Sequence, residues 1–197
     1  MTRQIVVATR NPGKIREIRA ILDDPNLELL SLEDVSFSEA LEETGHAYLE
    51  NARIKSSRVA IACGKITLAD DSGLEIDALQ GRPGVQSARF GGENLDSTAR
   101  NALVLELLKS VPWEERTARF RCVITIHSPE GKEYACEGVC EGLIAQAPKG
   151  ARGFGYDPIF FLPRYGKTLA ELSPEEKNQI SHRAEALRKA GEILKNF

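Results

Sequence analysis

The chain has no apolar run of the length a bilayer demands. Its first residues, Met1-Thr2-Arg3-Gln4, pass straight into a strand-like segment, without an apolar leader and cleavage site. A cytoplasmic protein with no membrane partner is therefore expected. An excess of positive charge is also missing: 26 Lys and Arg stand against 29 Asp and Glu, a formal net charge of −3. That balance argues against a broad electrostatic surface for nucleic acid, and no nucleic-acid motif is present. A small polyanion held in a local basic pocket stays open. Cysteine is scarce. Of Cys63, Cys122, Cys136 and Cys140, only the last two are close in sequence. No second matching pair completes a zinc site, so reduced, partly buried thiols are expected. A Walker A loop is absent as well, and there is no internal repeat, low-complexity tract or interdomain linker.

What is there reads as an ordinary globular chain, 42% hydrophobic and 28% charged. Its 197 residues suit one domain, or two closely joined lobes, with enough apolar surface to bury a core without staples. Segments alternate in type, which predicts an α/β fold. Strands are predicted over Gln4–Thr9, Leu27–Leu32 and Ile66–Ala69, with Leu74–Leu79 pairing back on the last. The alternating stretches Arg119–His127 and Glu133–Ile144 flank a Pro129–Lys132 turn and predict a hairpin. Helices are predicted over Lys14–Leu22, with Asn11 as N-cap and Pro12 at the first position, and over Gly45–Cys63 with Thr44 as cap. A further helix is predicted over Asp96–Leu108. Ser173-Pro174-Glu175-Glu176 is a capping box that starts another.

Five segments could carry chemistry. In Thr9-Arg10-Asn11-Pro12-Gly13-Lys14 a strand ends and a helix begins, so backbone N–H groups, the helix dipole and Lys14 could hold a phosphate. The plainer reading is a capped helix with a solvated lysine. Glu42-Glu43-Thr44-Gly45 precedes a helix that places Asn51 and Lys55 on one face, and either glutamate could offer oxygen to a hard cation. Taken alone, two acids at a helix N-terminus need no further role. Asp70-Asp71-Ser72-Gly73 reads as a turn after an apolar strand. Two adjacent carboxylates there repel unless a cation relieves them, and Mg²⁺-dependent phosphate chemistry uses such positions.

Gly153-Phe154-Gly155-Tyr156-Asp157-Pro158 offers close backbone approach, a stacking ring and a carboxylate, although Tyr156 beside Ile159-Phe160-Phe161 also suits a core. Lys177 and His182 would lie about 140° apart on one straight helix. Facing one pocket together requires a break near Asn178–Ser181, with Ser181 capping the last helix. His46 and His127 have no comparable context and are expected to be surface or strand residues.

In this order and spacing, the five segments, together with Pro83-Gly84 and Ser87-Ala88-Arg89, resemble the inosine triphosphate pyrophosphatase family, the XTP/dITP diphosphatases. The match runs from Thr9 to Arg183. It implies a mixed, elongated sheet flanked by helices, two lobes around a nucleotide cleft, a homodimer, and Mg²⁺-dependent hydrolysis of ITP, dITP and XTP to monophosphate and pyrophosphate. On that resemblance Thr9, Asn11, Lys14 and Lys55 hold the triphosphate, with Arg10, Pro12 and Gly13 in the same segment. Glu42 and Asp71 bind the metal, and Asp71 activates water. Glu43 could replace Glu42. Ser72 touches the nucleotide, and Phe154, Gly155, Tyr156, Asp157, Lys177, His182 and Arg183 surround base and sugar.

Overall fold

The computed structural model describes residues 2–196. A seven-stranded sheet has the order β2-β1-β3-β4-β5-β6-β7, built from β1 (Arg3–Val7), β2 (Leu27–Leu30), β3 (Thr67–Ile76), β4 (Thr117–His127), β5 (Glu133–Ile144), β6 (Phe160–Leu162) and β7 (Lys167–Thr168). β1 runs parallel to β2 and β3, while β6 is antiparallel to both β5 and β7. The helices are α1 (Pro12–Ile21), α2 (Tyr48–Cys63), α3 (Ser97–Leu107), α4 (Pro174–Ile180) and α5 (His182–Lys195). The mixed α/β architecture is the one expected. Among the described residues no helix is long and apolar enough to cross a membrane. All four cysteines are free thiols, three of them buried.

The chain divides into two compact units. The first comprises residues 1–71, 122–138 and 183–197; the second comprises 72–121 and 139–182. In the first, strand alternation sorts side chains onto two faces. Ile5 and Val7 join Leu68, Cys122, Ile124 and Ile126 in a core with Ile18 of α1 and Leu187 of α5. Val6 and Ala8 join Ala69 in a second core with Val59 of α2. The second unit packs Leu74 and Ile76 with Val104, Leu108, Phe120, Ile159 and Phe160.

Two boundaries differ from expectation for identifiable reasons. Asp70-Asp71-Ser72-Gly73 is not a turn: it is the middle of one continuous strand, β3. The carboxylates need no solvent-facing turn because each meets cations, as shown below. Helix α2 starts at Tyr48 rather than Gly45, and Ala47, not Thr44, sits at its N-cap. The amides of Gly45 and His46 are taken instead by the side chains of Asn51 and Glu50 reaching back. The predicted break is present: α4 ends at Ile180, and Ser181 is extended, with φ −73° and ψ 157°, immediately before α5.

Candidate functional site

The first unit assembles a buried ion network around β3. Leu68 packs on the α1/α5 face and Ala69 on the α2 face, so alternation sends Asp70 to the former and Asp71 to the latter. Asp70 Oδ2 accepts from Lys14 Nζ at 3.0 Å and from Arg183 Nε and Nη2 at 3.2 and 3.1 Å. Arg183 also donates to Glu17 Oε2 at 2.6 Å. Burial alone would raise the Asp70 pKa, but Lys14, Arg183 and Lys55 together hold it well below the ordinary carboxylate range. The Cys122 thiol lies 3.9 Å from the same oxygen, and burial pushes its pKa up to about 12, so it stays protonated.

On the other face, Asp71 meets Lys55 Nζ at 3.2 Å and Asn51 Nδ2 at 3.3 Å, both from α2. Lys55 also donates to Glu43 Oε1 at 2.7 Å. Burial raises the Asp71 pKa; Lys55 and Lys14 oppose the rise, and Glu43 and Asp70 add to it. Lys55 loses charge stability to burial but gains more from Asp71, Asp70 and Glu43, so it stays protonated. Counted together, Lys14, Lys55 and Arg183 face Glu17, Glu43, Asp70 and Asp71: three cations against four carboxylates, a local excess of one negative charge.

The strand-to-helix turn before α1 is held by its own side chains. Asn11 is the N-cap, and its Oδ1 accepts from the amides of Gly13 and Lys14 at 2.9 and 3.1 Å. Thr9 Oγ1 accepts from Asn11 N–H at 3.2 Å. Amides expected to face a ligand are therefore already engaged. The groups at this turn that can turn to a phosphate are the Thr9 hydroxyl, the exposed Asn11 amide and Lys14, with exposed Pro12 setting the helix start. Arg10 reaches away from the turn, donating to the carbonyls of Phe37 and Glu39 at 3.2 and 3.0 Å.

The second unit folds a loop around Asp157. Its Oδ2 accepts from Phe154 N–H at 2.8 Å and from Lys177 Nζ of α4. Gly153, at φ +74°, is required here, because a Cβ would lie 2.1 Å from that same oxygen. Lys177 Nζ stands 4.7 Å from the centre of the half-buried Phe154 ring. Asn101 of α3 donates to Gly155 O at 3.1 Å and fixes the loop from behind. His182 stacks on Phe120, with ring centres 4.7 Å apart and planes 11° apart. Ser72 is half-buried on β3.

The Ham1 family profile matches residues 5–193. The chain belongs to the Ham1 family. A dITP/XTP pyrophosphatase of Geobacter sulfurreducens is 54% identical over 187 residues, covering 95% of this chain and 94% of that protein. Another from Desulforamulus reducens is 50% identical over 191 residues, covering 97% of this chain and 95% of its own length. The solved HAM1 protein of Coxiella burnetii superposes with a TM-score of 0.90 at 41% identity, over 100% of both chains.

Within this Ham1-family chain the expected residues fall into two groups. Thr9, Asn11, Lys14, Lys55 and Asp71 gather in the first unit, and Phe154, Gly155, Asp157, Lys177 and His182 in the second. Arg183 is 2% exposed, with its guanidinium on Asp70 and Glu17. Tyr156 packs in the core, the plainer of the two readings given for it, and its hydroxyl donates to Ser87 O at 2.9 Å. Of the neighbouring glutamates, Glu43 reaches Lys55 while Glu42 is exposed. Three participants were missed. Glu17 was visible in principle, three residues after Lys14 on α1. Asn101 and Cys122 had no signal in the sequence.

Proposed function

We propose that this chain hydrolyses dITP, XTP and ITP to the nucleoside monophosphate and pyrophosphate. The observation that carries the reading is Asp71. It is a buried carboxylate with a raised pKa, in contact with Lys55, in a chain about half identical over nearly its full length to dITP/XTP pyrophosphatases. A base poised closer to neutrality is better matched to taking a proton from water. Asp71 accepts that proton as the water oxygen bonds to the α-phosphorus. The bond from the α-phosphorus to the bridging oxygen breaks, and pyrophosphate leaves. Lys14 and Lys55 stand beside the carboxylates where negative charge builds on the phosphate chain, and Thr9 and Asn11 donate to its oxygens.

A divalent cation fits this donor set. The network carries one carboxylate more than it has cations. Among the described residues no group of three or more acidic, His or Cys side chains is arranged as a complete metal cage, and Mg²⁺ characteristically takes one or two protein carboxylates with substrate phosphates and water completing its shell. Asp71 with Glu42 or Glu43 would hold it; when bound it neutralises phosphate charge and acidifies water.

Phe154 would stack on the purine. Lys177, above that ring, would donate to a 6-oxo group, which hypoxanthine and xanthine carry and adenine lacks. Buried donors facing adenine's 6-amino group would be left unpaired. We take the working form to be a cytoplasmic homodimer with the whole chain as one catalytic domain, a reading that rests on family resemblance and is checked by light scattering. Hydrolysis in oxygen-labelled water tests the bond cleaved. Label in the monophosphate supports attack at the α-phosphorus, and label in the pyrophosphate refutes it.

A further inference from the structure

A closed ring of hydrogen bonds in the first unit shares no residue with the ion network. Ser56 of α2, completely buried, has its Oγ 2.8 Å from His127 Nδ1 and 2.6 Å from Thr125 Oγ1. The other ring nitrogen, Nε2, lies 3.2 Å from Glu133 Oε2 at the start of β5. Glu133 in turn binds Arg53 of α2, whose Nε is 2.8 and 3.0 Å from the two carboxylate oxygens. The circuit Ser56–His127–Glu133–Arg53 thus leaves α2 and returns to it three residues earlier.

Ser56 Oγ also lies 2.9 Å from Ala52 O and 3.3 Å from Arg53 O, so the one hydroxyl ties the α2 backbone to Thr125 and His127. Burial lowers the His127 pKa against the opposing pull of Glu133, which keeps the ring neutral near pH 7. Serine, histidine and carboxylate in sequence resemble a nucleophilic triad, but Ser56 Oγ has no solvent access and no substrate can reach it.

What the ring does control is the helix turn that carries Asn51 and Lys55. Lys55 is the residue before Ser56, and Asn51 is one turn earlier; both bind Asp71 from α2. A helix held at positions 53 and 56 against β4 and β5 cannot slide or rotate by a fraction of a turn. We infer that His127 is a positioning residue for Lys55, acting through Ser56 and the Arg53–Glu133 pair; this rests on the phosphate-handling role given to Lys55 above.

A double-mutant cycle tests it, with kcat and KM measured for the wild-type chain, His127→Ala, Lys55→Gln and the double variant, alongside Tm. Misplacement of a reacting group by about 1 Å costs on the order of 100-fold. His127→Ala is therefore expected to lower kcat about 10- to 100-fold in the wild-type background, and less than about 3-fold once Lys55 is Gln. Tm should fall equally in both backgrounds. Equal kcat losses in the two backgrounds, or none in either, overturn the inference while leaving the role of Lys55 intact. A Lys55→Gln variant with wild-type turnover overturns both. If His127→Ala fails to fold, Ser56→Ala opens the same ring with a smaller change and carries the same expectations.

Discussion

Replacing Asp71 with Asn separates catalysis from stability in a way few other positions would. The side chain keeps its shape and can still face Asn51 and Lys55, but it can no longer take a proton. Loss of a general base costs about 100- to 10,000-fold in rate, so kcat for dITP should fall by that range while KM changes little. The stability effect has the opposite sign from the usual active-site lesion. Asp71 has a raised pKa in the folded state, so its ionised form is disfavoured by folding at neutral pH. Removing the charge relieves that, even after the contact with Lys55 is weakened, because Glu43 still binds Lys55 at 2.7 Å. Each kcal/mol gained would lift Tm by about 2–4 °C in a domain of this size. The assays are pyrophosphate release and a thermal melt, run on the same preparation. A variant with near-normal turnover refutes the general-base assignment. A variant whose Tm drops by more than about 5 °C refutes the electrostatic account of Asp71.

Four other outcomes follow from the network and from the Phe154 loop. Arg183→Met leaves Asp70 and Glu17 buried with one partner fewer; breaking such a pair costs about 3–5 kcal/mol, so Tm should fall by about 6–20 °C, and an unchanged melt would contradict the buried network. Asp70 has a folded pKa below its ordinary 3.8, so its stabilising contribution is complete above about pH 4 and is lost as pH falls further. Asp70→Asn should flatten the acid limb of a stability-versus-pH curve, and an identical limb in both proteins would count against it. Glu42→Gln and Glu43→Gln should differ, only the metal-holding residue shifting the Mg²⁺ concentration needed for half-maximal rate; no shift in either removes both from the metal site. Phe154→Ala removes a stacking ring worth about 1–3 kcal/mol, raising KM about 5- to 150-fold, and an unchanged KM would place the base elsewhere.

Much of this was legible in the sequence, for reasons that are local. Asn11-Pro12 marked the start of α1 because capping chemistry depends on adjacent residues, and the structure shows the Asn11 side chain holding two amides. The break before His182 followed from helix geometry once Lys177 and His182 were set to face one pocket, and Ser181 provides it. What the sequence concealed depends on distant partners. Asp70-Asp71-Ser72-Gly73 looked like a turn because two acids in a central strand are costly. Their neutralisation comes from Lys14, Lys55 and Arg183, the last of them 113 residues away. The salt bridges of Arg183 to Asp70 and Glu17 likewise join residues far apart in the chain, which no local pattern announces. His127 drew no attention as a lone strand histidine, and its partner Ser56 lies 71 residues before it.

The central claim is metal-dependent pyrophosphate release selective for purines with a 6-oxo group. It is measured most directly by incubating the purified chain with dITP, XTP, GTP and ATP, each with Mg²⁺ and with chelator, and quantifying pyrophosphate. Rapid release from dITP and XTP, far less from ATP, and none with chelator is expected; guanine shares the 6-oxo group, so the GTP arm reads discrimination at its 2-amino group. Equal release from ATP and dITP, or release that survives chelation, would contradict it.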